Sequence, residues 1–411
     1  MRLYSLIWLG SGVLAAAALA RPADGTKDRE FVVHTADGVD SRAILRELGP
    51  DWSLRCGDGP GKKIAATDAV SIRRPGAALP PMPADEHIVL ANGDRLPISK
   101  VRLDGEKLLG RCEDFEDVEV QLPLSNVAVW WRRAPENAAA QDQFLRRLLA
   151  KERKNDVVYM LNGDVLEGAL EAIDDKRVSI EVEKKSIATE LSRVAAVAIS
   201  SEPARGLLPK GLHARLTLDS GARLTLLSAE YRDGKALKVR TSFGANVQVP
   251  LGQVIALDWL GGRAVYLSDL KPAGFDEPLP YPGVDGIRWP PVIDGSVDDG
   301  NLRLGGSTYA KGIGMHSSGR LRYSLGKAYR RFEASVGLDD KTGRRGSVRV
   351  RVLGDGRPLD IGFNDELTAK NGPVKVQADV TGVKELTLEV DVGRSGNVQG
   401  HVDWGDARVI K

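Results

Sequence analysis

Four times along this chain the same outline recurs, and that recurrence constrains the fold more than any other feature. Each unit opens with an apolar strand that runs into a tight turn: Asp37-Gly38, Asn92-Gly93, Asn162-Gly163 and Asp219-Ser220-Gly221. Asn-Gly and Asp-Gly supply the positive φ that short hairpin turns require. Alternating apolar residues then continue through further short strands, as in Val118, Val120 and Leu122, or Val178, Ile180 and Val182, a period that belongs to half-buried β-structure. Three units close on a Leu-x-x-Val step, at Leu124 to Val127, Leu191 to Val194 and Leu251 to Val254, which reads as one tight turn into a last strand.

About five short strands in some fifty residues predict a small closed barrel, since closure removes exposed strand edges. The outline resembles the SH3-like and Sm-like barrels. The units are expected at residues 29–74, 85–134, 156–202 and 210–260. Between the second and third, residues 135–155 are rich in Ala, Leu, Arg and Glu, with Phe144, Leu145, Leu148 and Leu149 on one face. This predicts a linker helix docked by its apolar stripe. The Pro- and Ala-rich residues 75–83 predict a stiff spacer. Cys56 and Cys112 are the two cysteines. They sit at like offsets from their turn glycines, so a bridge across two packed repeats and a pair of unlinked thiols both stay open.

The chain begins with Arg2, an apolar stretch over residues 6–19, and Ala18-Leu19-Ala20. This is the pattern of an export signal over residues 1–20. It places the mature chain outside the cytoplasm, secreted, periplasmic or in the envelope, without a membrane span after the leader is removed. With a net charge of +2 and both signs interspersed, nothing suggests a nucleic-acid partner. No Gly-x-Ser-x-Gly, His-Glu-x-x-His or Gly-x-x-x-x-Gly-Lys is present, and the reading is non-enzymatic.

The last third carries longer motifs. Trp289-Pro290-Pro291 leads to Asp294-Gly295; Leu304-Gly305-Gly306 leads to Tyr309, Lys311, Gly312, Gly314 and His316. Phe332 to Asp340, Gly346 to Val352, and Gly400-His401-Val402-Asp403-Trp404 follow. In order and spacing these resemble the NPCBM family, which is related to the family 51 carbohydrate-binding modules, over residues 264–411. The resemblance implies a galactose-binding-like jelly-roll β-sandwich with its ligand site among the loops at one end. The fold expectation is therefore all-β: four tandem SH3-like barrels, then the jelly roll.

Sugars are held by an aromatic face and a few directional polar groups. Trp289, His316, Arg320, Asp340, His401 and Trp404 are the candidates within the matched motifs. Trp289 suits bracing a loop as well as stacking on a sugar, and His316 suits a hydrogen-bonded core position as well as a ligand contact. Asp403 could accept a proton from a histidine or fix a loop. The acidic loops at 294–299 and 339–340 offer oxygens for a structural calcium without matching an EF-hand, while five scattered histidines and the lack of a Cys-x-x-Cys pair argue against zinc. The implied partner is a glycan or polysaccharide, with the barrels as spacer or as a protein-contact array. A protein scaffold without sugar binding and a cryptic glycosidase, or glycosidase accessory, are the alternatives.

Overall fold

The computed structural model describes residues 27–411 except 117, 135–140, 201–208, 233, 278–288, 343–344 and 365. The export signal expected at residues 1–20 lies outside the described residues. In each repeat the first strand pairs antiparallel with both the second and the last. Glu30–Thr35 lies between Asp40–Leu48 and Ala69–Arg73, and His87–Leu90 between Arg95–Pro97 and Val127–Trp131. Asp156–Met160 lies between Val165–Ile173 and Val194–Ala198, and His213–Leu218 between Arg223–Arg232 and Val254–Leu260. The four turn glycines share one left-handed conformation, with φ of 87°, 86°, 92° and 85° at Gly38, Gly93, Gly163 and Gly221. A side chain at those positions would be strained, so the recurring glycine is a backbone requirement. Single 3-10 turns at Leu124–Asn126, Leu191–Arg193 and Leu251–Gln253 lead into the last strands.

The repeats pair through those last strands. Repeat one joins repeat four, with Leu257 opposite Ile72 and Asp258 opposite Ser71. Repeat two joins repeat three, with Val129 opposite Ala198 and Trp130 opposite Val197. This pairing settles the cysteines. Cys56 and Cys112 are both buried, unbridged thiols, because the partner of repeat one is repeat four and not repeat two. Burial pushes the Cys56 thiol up to about 11 and that of Cys112 higher still.

The linker forms helix α1 over Gln141–Ala150. Leu145 and Leu148 bury against Val129, Trp131, Val157 and Ala196 on the joined sheet of repeats two and three. Phe144 meets the rings of Trp131 and Tyr159 at 5.7 and 5.5 Å, whereas Leu149 faces solvent. Among the described residues no helix is long and apolar enough to cross a membrane.

Residues after 263 form two facing sheets. One runs Val292–Ile293, Gly312–His316, His401–Ile410, Arg331–Leu338, Val374–Asp379, with Ala264–Tyr266 also on His401–Ile410. The other runs Gly274–Asp276, Gly319–Ser324, Glu385–Val392, Ser347–Gly354, Arg357–Pro358, with Leu367–Thr368 also on Ser347–Gly354. Leu321, Tyr323, Phe332, Leu388 and Trp404 fill the space between them, as the alternation predicts for a sandwich.

The barrels are not strung out from this sandwich. Glu333, on its sheet, reaches His34 Nε2 of repeat one at 2.8 Å and pairs with Arg408. His34 Nδ1 lies 2.6 Å from Asp40, which also receives Lys375 at 3.2 Å. Beside this set, Arg73 of repeat one contacts Asp258 of repeat four at 2.6 Å and Asp406 of the sandwich at 3.1 Å. Burial pushes the Glu333 carboxyl up, but Arg408 and His34 outweigh it and hold the group at about 2. A folded-state value below the ordinary one means stability that is present above the unfolded pKa and lost as pH falls through about 2. Glu333→Ala leaves Arg408 buried without its carboxylate and should cost about 3–5 kcal/mol at neutral pH. Calorimetry should show the sandwich and the barrels melting apart in the variant, and a difference from the parent that narrows as the solution is acidified.

Candidate binding site

The loop end of the sandwich gathers three aromatic side chains. His316 ends one strand and His401 begins its neighbour, directly opposite in register, so their rings meet edge to face at 4.6 Å. Trp289 lies on the other side of His316, with centroids 5.5 Å apart. Its backbone N–H donates to Glu277 at 2.7 Å, which fixes the irregular Trp-Pro-Pro segment. His401 Nδ1 lies 2.9 Å from the Asp298 carboxylate. Ser317 N donates to Gly400 O at 2.8 Å, and a Cβ on Gly400 would meet the Ser317 hydroxyl at 2.6 Å. Glycine there lets the two loops close under the histidines.

Burial, and secondarily the neighbouring His401, lowers the His316 pKa to about 4. Its ring is therefore neutral at physiological pH, with one nitrogen that donates and one that accepts. Among the described residues no protein group hydrogen-bonds this half-buried ring. Such a pair of directional sites beside an indole face suits a hydroxyl-bearing ring.

The remaining candidates lie elsewhere. Trp404 is fully buried against Phe332 in the sandwich core and has no surface to offer a ligand. Its position was written in the alternation: Val402 and Trp404 share the inward face, opposite to His401 and Asp403. Arg320 stands on the outer face of the second sheet, paired with Glu389 at 2.5 Å. Asp340 accepts the backbone N–H groups of Gly305 and Gly306, both at 2.8 Å, and clamps that turn. The structure thus joins Trp289, His316 and His401 and separates them from Arg320, Asp340 and Trp404. Asp298 was missed as a partner of His401, although it stood within the acidic 294–299 loop.

The acidic loops direct their oxygens inward. Asp294 receives Lys311 and Gly312 N, and Asp339 receives Lys341 N. Among the described residues no group of three or more His, Cys, Asp or Glu is arranged to hold a metal. Asp403 fixes a strand rather than a histidine: its carboxylate accepts Arg303 N at 2.9 Å. It is fully buried beside the equally buried Asp339. Burial first, then Asp339, raises its pKa well above the ordinary value.

These positions fall within a recognisable domain. Residues 263–410 match the NPCBM/NEW2 domain family. A protein of Renibacterium salmoninarum named "Putative endo-alpha-N-acetylgalactosaminidase" is 28% identical over 183 residues, which cover 42% of this chain and 12% of that protein. The chain thus spans about an eighth of that relative's length. Among solved structures, the family 51 module from Clostridium perfringens GH95, in complex with methyl-galactose, is 26% identical. It covers 36% of this chain and 99% of its own, with a TM-score of 0.31. The second family 51 module and INT domains of Clostridium perfringens ZmpB, in complex with GlcNAc, are 24% identical. They cover 48% of this chain and 43% of their own, with a TM-score of 0.31.

The buried acid pair yields a test of this region's electrostatics. A carboxyl whose pKa is raised on folding supports the fold below its unfolded pKa, about 3.9, and loses that contribution as pH rises through the folded value. Asp403→Asn keeps an acceptor for Arg303 N and gives Asp339 a permanent donor. Thermal denaturation should show the variant melting above the parent at pH 7 to 8, with the gap closing near pH 4.

Proposed function

We propose that the protein is an exported, non-enzymatic glycan-binding protein whose saccharide site is the rim formed by Trp289, His316 and His401. The observation that carries this reading is the half-buried His316 ring, held between an indole and a second imidazole with no protein hydrogen bond to it among the described residues. A pyranose laid on Trp289 would place hydroxyls within reach of both histidines, exchanging water for aromatic contact and directional hydrogen bonds. The match of residues 263–410 to the NPCBM/NEW2 domain supports the ligand class, and the leader-like residues 1–20 support export. Galactose-type sugars are the first class to test. Two carboxylates at the rim are engaged, Asp298 by His401 and Glu277 by the Trp289 backbone, which favours binding over hydrolysis. One shallow site gives weak affinity, raised on a polysaccharide by many copies of the epitope. The barrels serve as a rigid base for that site, and their outer faces remain open to a protein partner.

Affinity-gel retardation and calorimetric titration with methyl galactoside, N-acetylgalactosamine and galactose-bearing polysaccharides test this. The full chain should be retarded. Trp289→Ala and His316→Ala should each bind about tenfold more weakly, the scale of one lost stacking or hydrogen-bond contact, with melting temperatures near that of the parent. Affinity should fall as His316 takes a proton near pH 4. Absence of retardation on every saccharide, or full affinity in both variants, would overturn the reading. Release of reducing ends by the chain would replace it with hydrolysis.

A further inference from the structure

The loop that carries Asp298 is seated on helix α1, an element from the other half of the chain. Arg146 of α1 donates to three backbone carbonyls of this loop: Ile293 O and Asp294 O, both at 3.2 Å, and Gly300 O at 3.3 Å. One helical turn earlier, Gln143 Nε2 donates to Asp299 at 3.1 Å. Asp142 pairs with Arg303 on the strand that follows the loop. The loop is itself folded tightly, with Ser296 N donating to Gly300 O at 3.0 Å and Asp299 N to Ser296 O at 3.2 Å. Asp294 and Asp299 both adopt positive φ, 52° and 58°. Residue 295 is glycine for a reason visible here: a Cβ would meet Arg146 Nη1 at 1.7 Å.

From this seating we propose that Arg146 is a positioning residue for the saccharide rim. It acts through the 293–300 loop, which holds Asp298 against His401. The proposal rests on the glycan-binding reading for its consequence, though not for its geometry. A guanidinium offers five N–H donors in a rigid fork. Three of the carbonyls it meets come from both ends of one loop, so it ties the loop's two stems together across Gly295. A positioned contact group must be held to within a fraction of an ångström by such supports. The match to the binding-module family begins at residue 263, so the support for this rim comes from outside the matched domain. The barrel half of the chain is then part of the binding site's construction and not merely its carrier.

The full chain is compared with Arg146→Ala, Asp298→Ala and the double variant. The readouts are methyl galactoside affinity, melting temperature, and the ring-nitrogen NMR shifts of His401. Arg146→Ala and Asp298→Ala should each weaken binding roughly tenfold, and the double variant should bind no worse than either single one, because they act through one link. In the absence of sugar, the His401 nitrogen shifts of Arg146→Ala should move to the values of Asp298→Ala. Gly295→Ala expels the guanidinium from its seat without altering α1, so it gives the same shifts should Arg146→Ala fail to fold. His401 shifts unchanged in both Arg146→Ala and Gly295→Ala would overturn the proposal, as would multiplicative losses in the double variant. If the parent chain binds no sugar while the His401 shifts do move, the saccharide reading falls and the positioning role stands.

Discussion

The buried carboxylate of Glu333 determines how the two halves of this molecule are arranged. It projects from the sandwich away from the sandwich core, between Arg408 of its own sheet and His34 of the first barrel. The apolar contact that accompanies it is slight: Val70, Ala264 and Ile410 form a small cluster with Ala36. Apolar area of that size discriminates poorly between orientations, whereas a buried carboxylate tolerates few. Each charge taken out of water carries a desolvation cost of several kcal/mol that only well-placed partners offset. Glu333, Arg73 and Asp406 therefore specify a single docking geometry more than they add net stability.

One strand connects that interface to the proposed saccharide rim. Along His401–Ile410, Val402 and Trp404 point into the sandwich while His401 and Asp403 point out. Strict alternation would turn residue 408 inward. A register shift opposite Glu333 and Ser335, with Asp406 at φ 51°, inserts one residue and reverses the phase. Ala407 and Val409 then enter the core, and Arg408 turns toward Glu333. A bulge of this kind re-aims side chains without breaking the sheet. The same strand thus supplies His401 to the rim, Asp403 to the strand Leu302–Leu304, Asp406 to Arg73 of the first barrel, and Arg408 to Glu333 at the interface.

Local order was legible in the sequence and partnership was not. The four turn glycines, the Leu-x-x-Val steps and the apolar face of the linker each reflect a short-range requirement of backbone or burial; the turns form as expected, and of the linker's stripe Phe144, Leu145 and Leu148 dock while Leu149 stays exposed. Pairing of repeat one with repeat four left no such trace, because all four last strands are apolar and any two could have joined. Of the two states left open for Cys56 and Cys112, the unlinked thiols are the one found. Trp404 is a different case: it shares the phase of Val402 along the strand, and that parity, legible in the alternation, puts its indole in the core. Asp298 and Arg146 lie about 150 residues apart, and only the docked arrangement brings their elements together.

That arrangement also limits how far the barrel array can extend. Last-strand pairing joins the repeats two by two, one with four and two with three, so the strands best suited to addition are already covered. Lys185–Glu190 of repeat three pairs on one side with Arg177–Val182 and carries Lys185 at its start and Glu190 at its end, with Lys184 in the turn before it. Charges along an exposed edge disfavour pairing with another chain. At this edge the charged ends disfavour addition of another chain's strand.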